Sequence, residues 1–342
     1  MTDPAIQRAT YERRFIRLFA IGAAIVSLMP FLLGLLLTPV GSRYVGYQTN
    51  LDDHMVYAAW MRQAMDGRIL FDNRFAVDPQ PGLTLHLYFF ALGLLAKVVS
   101  IPWATALSKA ALSAAFIVLL GKLVKRVSPD VFTTKLGISL ATFGGGLGYL
   151  VWQNFGQLIE KPALQTWSGI MDGRLPTDVW QPEGYVFSSM LTNSLFMAAL
   201  CLILVVFLAA LSAKESGRRV WVGALAMFLL MNIHSYDAAL VVLVFVGLLV
   251  ASLFQGQVDR AWVLRVFLIG LGAVPSALWF VYVYRHDTVF QQRAATLTYA
   301  PAFHQVFFGY LPLLALGLVA VFRGAGKERK ARLGAEIGRA HV

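Results

Sequence analysis

Residues 82–100 read GLTLHLYFFALGLLAKVVS, a run apolar enough to cross a bilayer, and whether it does so fixes the side on which every later loop lies. Eight other runs compete for the same role: 18–38, 102–124, 135–152, 187–211, 220–235, 237–254, 263–284 and 305–322. Each is long and apolar enough, or nearly so, to span. Arg8, Arg13, Arg14 and Arg17 precede the first run, so the positive-inside rule sets the amino terminus on the cytoplasmic side. That run is too long for the apolar core of a cleaved signal and reads as an anchor. If 82–100 stays outside, 18 Lys and Arg fall on the inner side and 10 on the outer. If it crosses, the balance inverts, against the rule. The run is therefore expected to be a non-spanning, juxtamembrane helix.

The expected fold is all-α: a polytopic membrane protein of about eight transmembrane helices, with both ends cytoplasmic and a helical, juxtamembrane outer loop. Residues 1–335 form one transmembrane domain, with outer loops at about 39–101, 153–186 and 285–304. The seven residues 336–342, EIGRAHV, read as the translation of a sequencing adapter and are expected to be a non-native tail. Composition agrees with this picture: of 342 residues, 58% are hydrophobic and 14% charged, and the mean hydropathy is +0.65. Such a chain is not a soluble enzyme, a secreted disulfide scaffold or a disordered protein. The net charge of +11 follows membrane orientation rather than a nucleic-acid surface, so no nucleic-acid partner is expected. Cys201 stands alone within an apolar run, which leaves no disulfide and no cysteine metal cluster.

The acids collect on the expected outer side, where long structured loops usually carry function. Asp52 and Asp53 stand at the start of a stretch that reads as a helix from Met55 to Met65, ended by Gly67. One explanation is local: Asn50 caps, Asp53 takes the third helical position, and the helix dipole favours both acids. The other is a general base, or a metal-binding acid, just above the membrane surface. Glu183, among Trp180 and Tyr185, ends the second loop and is either part of an interfacial belt or a second carboxylate converging on the first.

His234, Tyr236 and Asp237 interrupt an apolar stretch, and ionisable groups at membrane depth point to function. Asn232, Ser235 and Asp237 also suit a plain turn. Arg62, Arg68, Lys109, Arg285 and His286 are the outer cations suited to an anionic headgroup, although snorkelling explains Lys109 or Arg285 alone. His54 and Tyr57 complete the candidate substrate-binding residues. The tetrapeptide MDGR occurs at 65–68 and at 171–174, too short to define a repeat. The glycines at 144–146 and Gly148 lie within an expected span rather than after a strand, so close helix packing is expected there rather than phosphate binding. No Walker, HExxH, GxSxG or CxxC motif occurs.

This order of parts resembles the GT-C class of integral-membrane glycosyltransferases, especially bacterial members similar to the dolichyl-phosphate-mannose and aminoarabinose transferases. The resemblance rests on Asp52-Asp53, the helix with Tyr57, then Asp66-Gly67-Arg68, Pro79 and Pro81, the apolar run 82–100, and the basic turn from Lys122 to Lys135. It covers roughly residues 15–322 and is more specific over 45–90 than beyond. It implies a polyprenyl-phosphate-linked sugar as donor and a membrane lipid environment, with an acceptor at the outer face of a bacterial inner membrane. A first-loop acid, Asp53 ahead of Asp52, would deprotonate that acceptor. Glu183 resembles the second-loop acid by position only, and His54 has no counterpart in the pattern. Metal dependence varies across the class, which leaves a divalent ion at Asp53 and Glu183 as an option and no other cofactor implied. The competing expectations are a secondary transporter, with broken-helix sites at 144–148 and 234–237, and a non-catalytic assembly factor.

Overall fold

The computed structural model describes residues 4–127, 130–148, 150, 177–254, 258–295 and 303–339. The described residues are predominantly helical, and among them six helices are long and apolar enough to cross a membrane, as in an integral membrane protein. In chain order these are α1 (Pro4–Leu36), α2 (Leu51–Met65), strands β1 (Leu70–Phe71) and β2 (Thr84–Leu85), α3 (Leu87–Val99), α4 (Ile101–Val127) and α5 (Val131–Phe143). There follow α6 (Thr177–Trp180), a 3₁₀ turn Pro182–Gly184, α7 (Val186–Thr192), α8 (Ser194–Ser212) and α9 (Val220–Ile233). The last are α10 (Ser235–Phe254), α11 (Arg260–Leu271), α12 (Val274–His286), α13 (Thr288–Ala294) and α14 (Phe303–Arg339). The long apolar segments are carried by α1, α4, α8, α10, the α11–α12 pair and α14.

Two of the eight expected spans fall short. The run 135–152 gives α5, 13 residues, because the helix stops at Phe143 before three consecutive glycines. The run 220–235 gives α9, 14 residues or about 21 Å, closed at its end where His234 leaves helical geometry. Two others are interrupted without losing their length. Asn193 breaks 187–211 into α7 and α8, and its side-chain oxygen accepts from the Leu195 N–H at 2.9 Å. Gly272 lies at the α11–α12 joint, where a Cβ would come within 2.1 Å of the Ala224 carbonyl oxygen.

The chain divides into two compact units, Met1–Ser139 with Ser189–Leu297, and Leu140–Ser188 with Thr298–Val342. In the first, α1 packs along α4, α4 along α8, and α9 between α8 and α11. Helix α2 lies on α3, and Gly93 permits the crossing: a Cβ there would meet the Ala64 Cβ at 2.4 Å. Met61, Ala64, Phe71 and Phe89 fill the junction with almost no exposed surface. Met61, Phe71 and Phe89 each contribute roughly 1.5–3 kcal/mol of transfer energy.

Run 82–100 becomes β2 and α3. At 13 residues, about 20 Å, α3 is shorter than the ~30 Å hydrocarbon layer. Its entry is fastened from a distance. Asn232, at the end of α9, accepts from the Leu87 N–H at 2.8 Å and donates to the Leu85 carbonyl at 3.0 Å. The Trp279 indole donates to the Leu83 carbonyl at 3.2 Å, and His86 caps α3 by accepting from the Phe89 N–H at 3.5 Å.

In the second unit, Gly146 lies so close to Gly309 of α14 that a Cβ would fall 2.1 Å from its carbonyl oxygen. The Leu147 N–H donates to the Phe308 carbonyl at 2.9 Å. Gly146 thus serves close backbone approach, in an unwound stretch rather than inside a helix.

Candidate functional site

Helix α2 begins at Asn50, whose backbone is left-handed at φ 49° and ψ 50° and whose side chain makes no cap bond. Its amide instead donates to Asp53 Oδ2 at 2.8 Å. The local explanation of the acid pair therefore fails in detail, since the Asn50 side chain is spent on Asp53 rather than on a helical N–H. The other Asp53 oxygen, Oδ1, faces Arg293 of α13 at 4.0 Å, with the two side chains 42% and 47% exposed. Asp52 points to solvent with no ion pair or side-chain hydrogen bond among the described residues. Of the two expected acids, Asp53 alone meets a cation.

The Arg293 guanidinium also lies over the Trp60 ring, 5.8 Å from its centroid, a cation–π arrangement. Trp60 is buried, and its indole Nε1 has no hydrogen-bond partner among the described residues. Its ring sits 5.5 Å from that of His86. Burial pushes the His86 pKa down to about 3, against a hydrogen bond to the Ile233 carbonyl, and both His234 and Arg293 lie close enough to depress it further. Beyond it, His234 Nδ1 pairs with Asp237 Oδ2 at 2.7 Å. Phe196 and Tyr236 stand edge-on to the His234 ring. The α9–α10 joint is thus more than a turn: its histidine is oriented by a carboxylate.

Of the remaining expected site residues, His54 and Tyr57 border this centre and the others make contacts elsewhere. His54 is 3% exposed, stacked on Tyr47 at 4.5 Å, and burial pushes its pKa down to about 4. Asp53 beside it pulls the other way. It is a buried, neutral group at pH 7. Tyr57 stacks on Phe89 at 4.4 Å. Arg62 forms an exposed pair with Asp66 at 3.8 Å, worth little energetically.

Arg68 donates twice to Asp72, at 2.6 and 2.9 Å, which Arg74 also approaches at 3.4 Å. Gly67, at φ +90°, ends α2, and Gln63 clasps the Asp72 backbone through both its N–H and its carbonyl. The first MDGR motif is therefore a helix terminator with a structural ion pair. The second lies outside the described residues.

Lys109 is buried on α4 and donates to the Leu191 carbonyl at 2.6 Å, next to the α7–α8 break. Tyr236 and Arg285 are exposed, and His286 donates from Nδ1 to the Tyr282 carbonyl at 2.8 Å.

Glu183 belongs to the second unit, exposed in the 3₁₀ turn and accepting from Gln181 at 3.4 Å. The acid held inside that unit is Asp178: Oδ2 accepts from the Gly148 N–H at 2.9 Å, while Oδ1 is buried with no partner among the described residues. Burial raises its pKa above the usual carboxylate range.

Sequence reasoning missed Arg293, Trp60, His86 and Asp178. For Arg293 the available signal was its place in the expected third outer loop, one short helix beyond Arg285 and His286. Among the described residues no three of His, Cys, Asp and Glu come together. A divalent ion at Asp53 would find one carboxylate beside a guanidinium, a donor set that does not fit a hard cation. No family model, no curated protein and no solved structure matches the chain.

Proposed function

We propose that the protein is a membrane glycosyltransferase that moves a sugar from a polyprenyl-phosphate donor to an acceptor, with Asp53 as general base. The observation that carries this reading is the half-exposed Asp53 carboxylate, held by Asn50 and facing Arg293 at 4.0 Å. The reaction needs those two groups. An acceptor hydroxyl gives its proton to the Asp53 carboxylate as its oxygen bonds to the anomeric carbon. The bond from that carbon to the phosphate oxygen breaks, and the lipid phosphate leaves with the electron pair. Arg293 stabilises the charge gathering on it, so no acid is needed to protonate the leaving group. No step runs through a metal.

The accompanying topology has eight crossings, with both ends in the cytoplasm of a bacterium and Asp53 on the periplasmic face. In it α5 and α9 cross with the help of their flanking turns. A GT-C architecture fits the acid on a juxtamembrane helix and the short, non-spanning α3. A second reading, a secondary transporter, is favoured by the unwound glycines at 144–146 and the break at Asn193.

The test follows loss of labelled sugar from a panel of polyprenyl-phosphate donors, in membranes carrying wild-type protein or Asp53→Asn at equal expression. Turnover in the wild type that collapses in the variant is expected. Equal turnover in both removes Asp53 from the mechanism, and solute uptake without turnover favours transport.

A further inference from the structure

A cavity of about 460 Å³ opens between the carboxyl end of α1 and the amino end of α4, apart from the Asp53 centre. Its wall is apolar and aromatic on one side, with Phe31 and Leu35 of α1 and Pro102 and Trp103 of α4. The Phe31 and Trp103 rings meet edge to face at 4.8 Å. The opposite lip is polar, with Thr38, Ser42, Arg43, Tyr44 and Ser100. Tyr44 reaches the cavity because Gly34 leaves room: a Cβ at 34 would lie 2.3 Å from the Tyr44 ring.

Charge and surroundings narrow the ligand. Arg43 is the only charged residue lining the cavity, and it makes no ion pair among the described residues. By contrast Arg62, Arg68, Arg74 and Arg293 each face a carboxylate. One guanidinium with no acid in the described lining matches a single negative charge, whereas a headgroup amine would find no carboxylate there. Leu36, Leu37 and Val40 are strongly exposed around the rim, at 80%, 77% and 106%, and Trp103 stands among them. An apolar collar with an aromatic anchor at the end of a spanning helix is the signature of the bilayer boundary. The volume lies in the range of small-ligand sites.

We propose that this cavity binds the phosphodiester head of an anionic glycerophospholipid, with the phosphate on Arg43 and the first chain carbons against Phe31, Leu35 and Trp103. A polyprenyl-linked sugar phosphodiester would offer the same charge. Its sugar, however, would have no base over it, since the lining contains no carboxylate. The inference does not rest on the transferase reading.

Native mass spectrometry of the purified full chain tests it, with phosphatidylglycerol and phosphatidylcholine of identical acyl chains. Phosphatidylglycerol is expected to bind about tenfold more tightly. Arg43→Gln should bring the two lipids to parity with an unchanged melting temperature. Arg43→Lys should keep most of the preference, and Arg260→Gln all of it. A preference that survives Arg43→Gln overturns the proposal. Displacement by equimolar inorganic phosphate also overturns it, pointing to a soluble anion. Displacement by an equimolar polyprenyl-phosphate sugar overturns it in favour of a donor site.

Discussion

Asp53 and Asp287 both stand in the first turn or cap of a helix of the first unit, and the two carboxylates end up in different employment. Asp287, at the start of α13, is 3% exposed and accepts from the Phe290 N–H at 3.0 Å, a helix cap. Asp53, at the start of α2, makes no cap, keeps much of its surface open and faces a guanidinium. A carboxylate spent on backbone donors serves folding and has little left for a substrate. One whose neighbours are a side-chain amide and a cation across the fold remains available for chemistry. The two sites are also linked, because the helix capped by Asp287 carries Arg293, the partner of Asp53.

That contrast breaks most sharply at Asp53 itself. Asp53→Asn is expected to lower sugar turnover by about a thousandfold, with stability unchanged to within about 0.5 kcal/mol; a large loss in melting temperature would show that Asp53 is a fold-holding group like Asp287. Next in size, Arg293→Gln should cost about a hundredfold in turnover through lost charge stabilisation. Arg293→Lys should restore part of it, since it keeps the charge but loses the planar fork.

The third prediction is a pH effect set by His54. Its native pKa of about 4 lies below the unfolded value of about 6.5, so between those values the unfolded chain takes up a proton that the folded chain refuses. Stability should therefore fall as the pH drops through that window, by up to about 3 kcal/mol, and His54 adds no further loss below it. His86 works in the same direction. Thermal melts at pH 7 and pH 4.5 check this, with a smaller difference expected in His54→Phe. The smallest effect is Asp287→Ala, a lost cap worth about 1 kcal/mol. It should also lower turnover severalfold by loosening the helix beneath Arg293, and unaltered turnover would uncouple the two sites.

Much of the scaffold was legible in residue order. The start of α2 and its end at Gly67 follow from Asn50, the acid pair and the only residue type that adopts the left-handed terminator without strain. Charge parity placed 82–100 apart from the spans, and its helix, like α5, is shorter than the helices long enough to cross. In the runs 135–152 and 220–235 the described helices are shorter than the apolar runs themselves. Hydropathy counts apolar side chains, whereas the helix is ended by backbone behaviour at the glycines after Phe143 and at His234. Glu183 was chosen by position along its loop, and the structure instead buries Asp178 against the Gly148 N–H.

By itself the sequence determined the solvent of this protein. Apolar runs, few charges and the sorting of Lys and Arg are additive properties that survive without coordinates. Only the tertiary structure set Asp53 rather than Asp52 opposite Arg293, sent His54 into an aromatic stack, and brought Arg293 over Trp60. Those outcomes depend on which face of a helix meets which neighbour, and on segments far apart in the chain. A charge gains its role from the group that packing places opposite it, and no local pattern of residues contains that information.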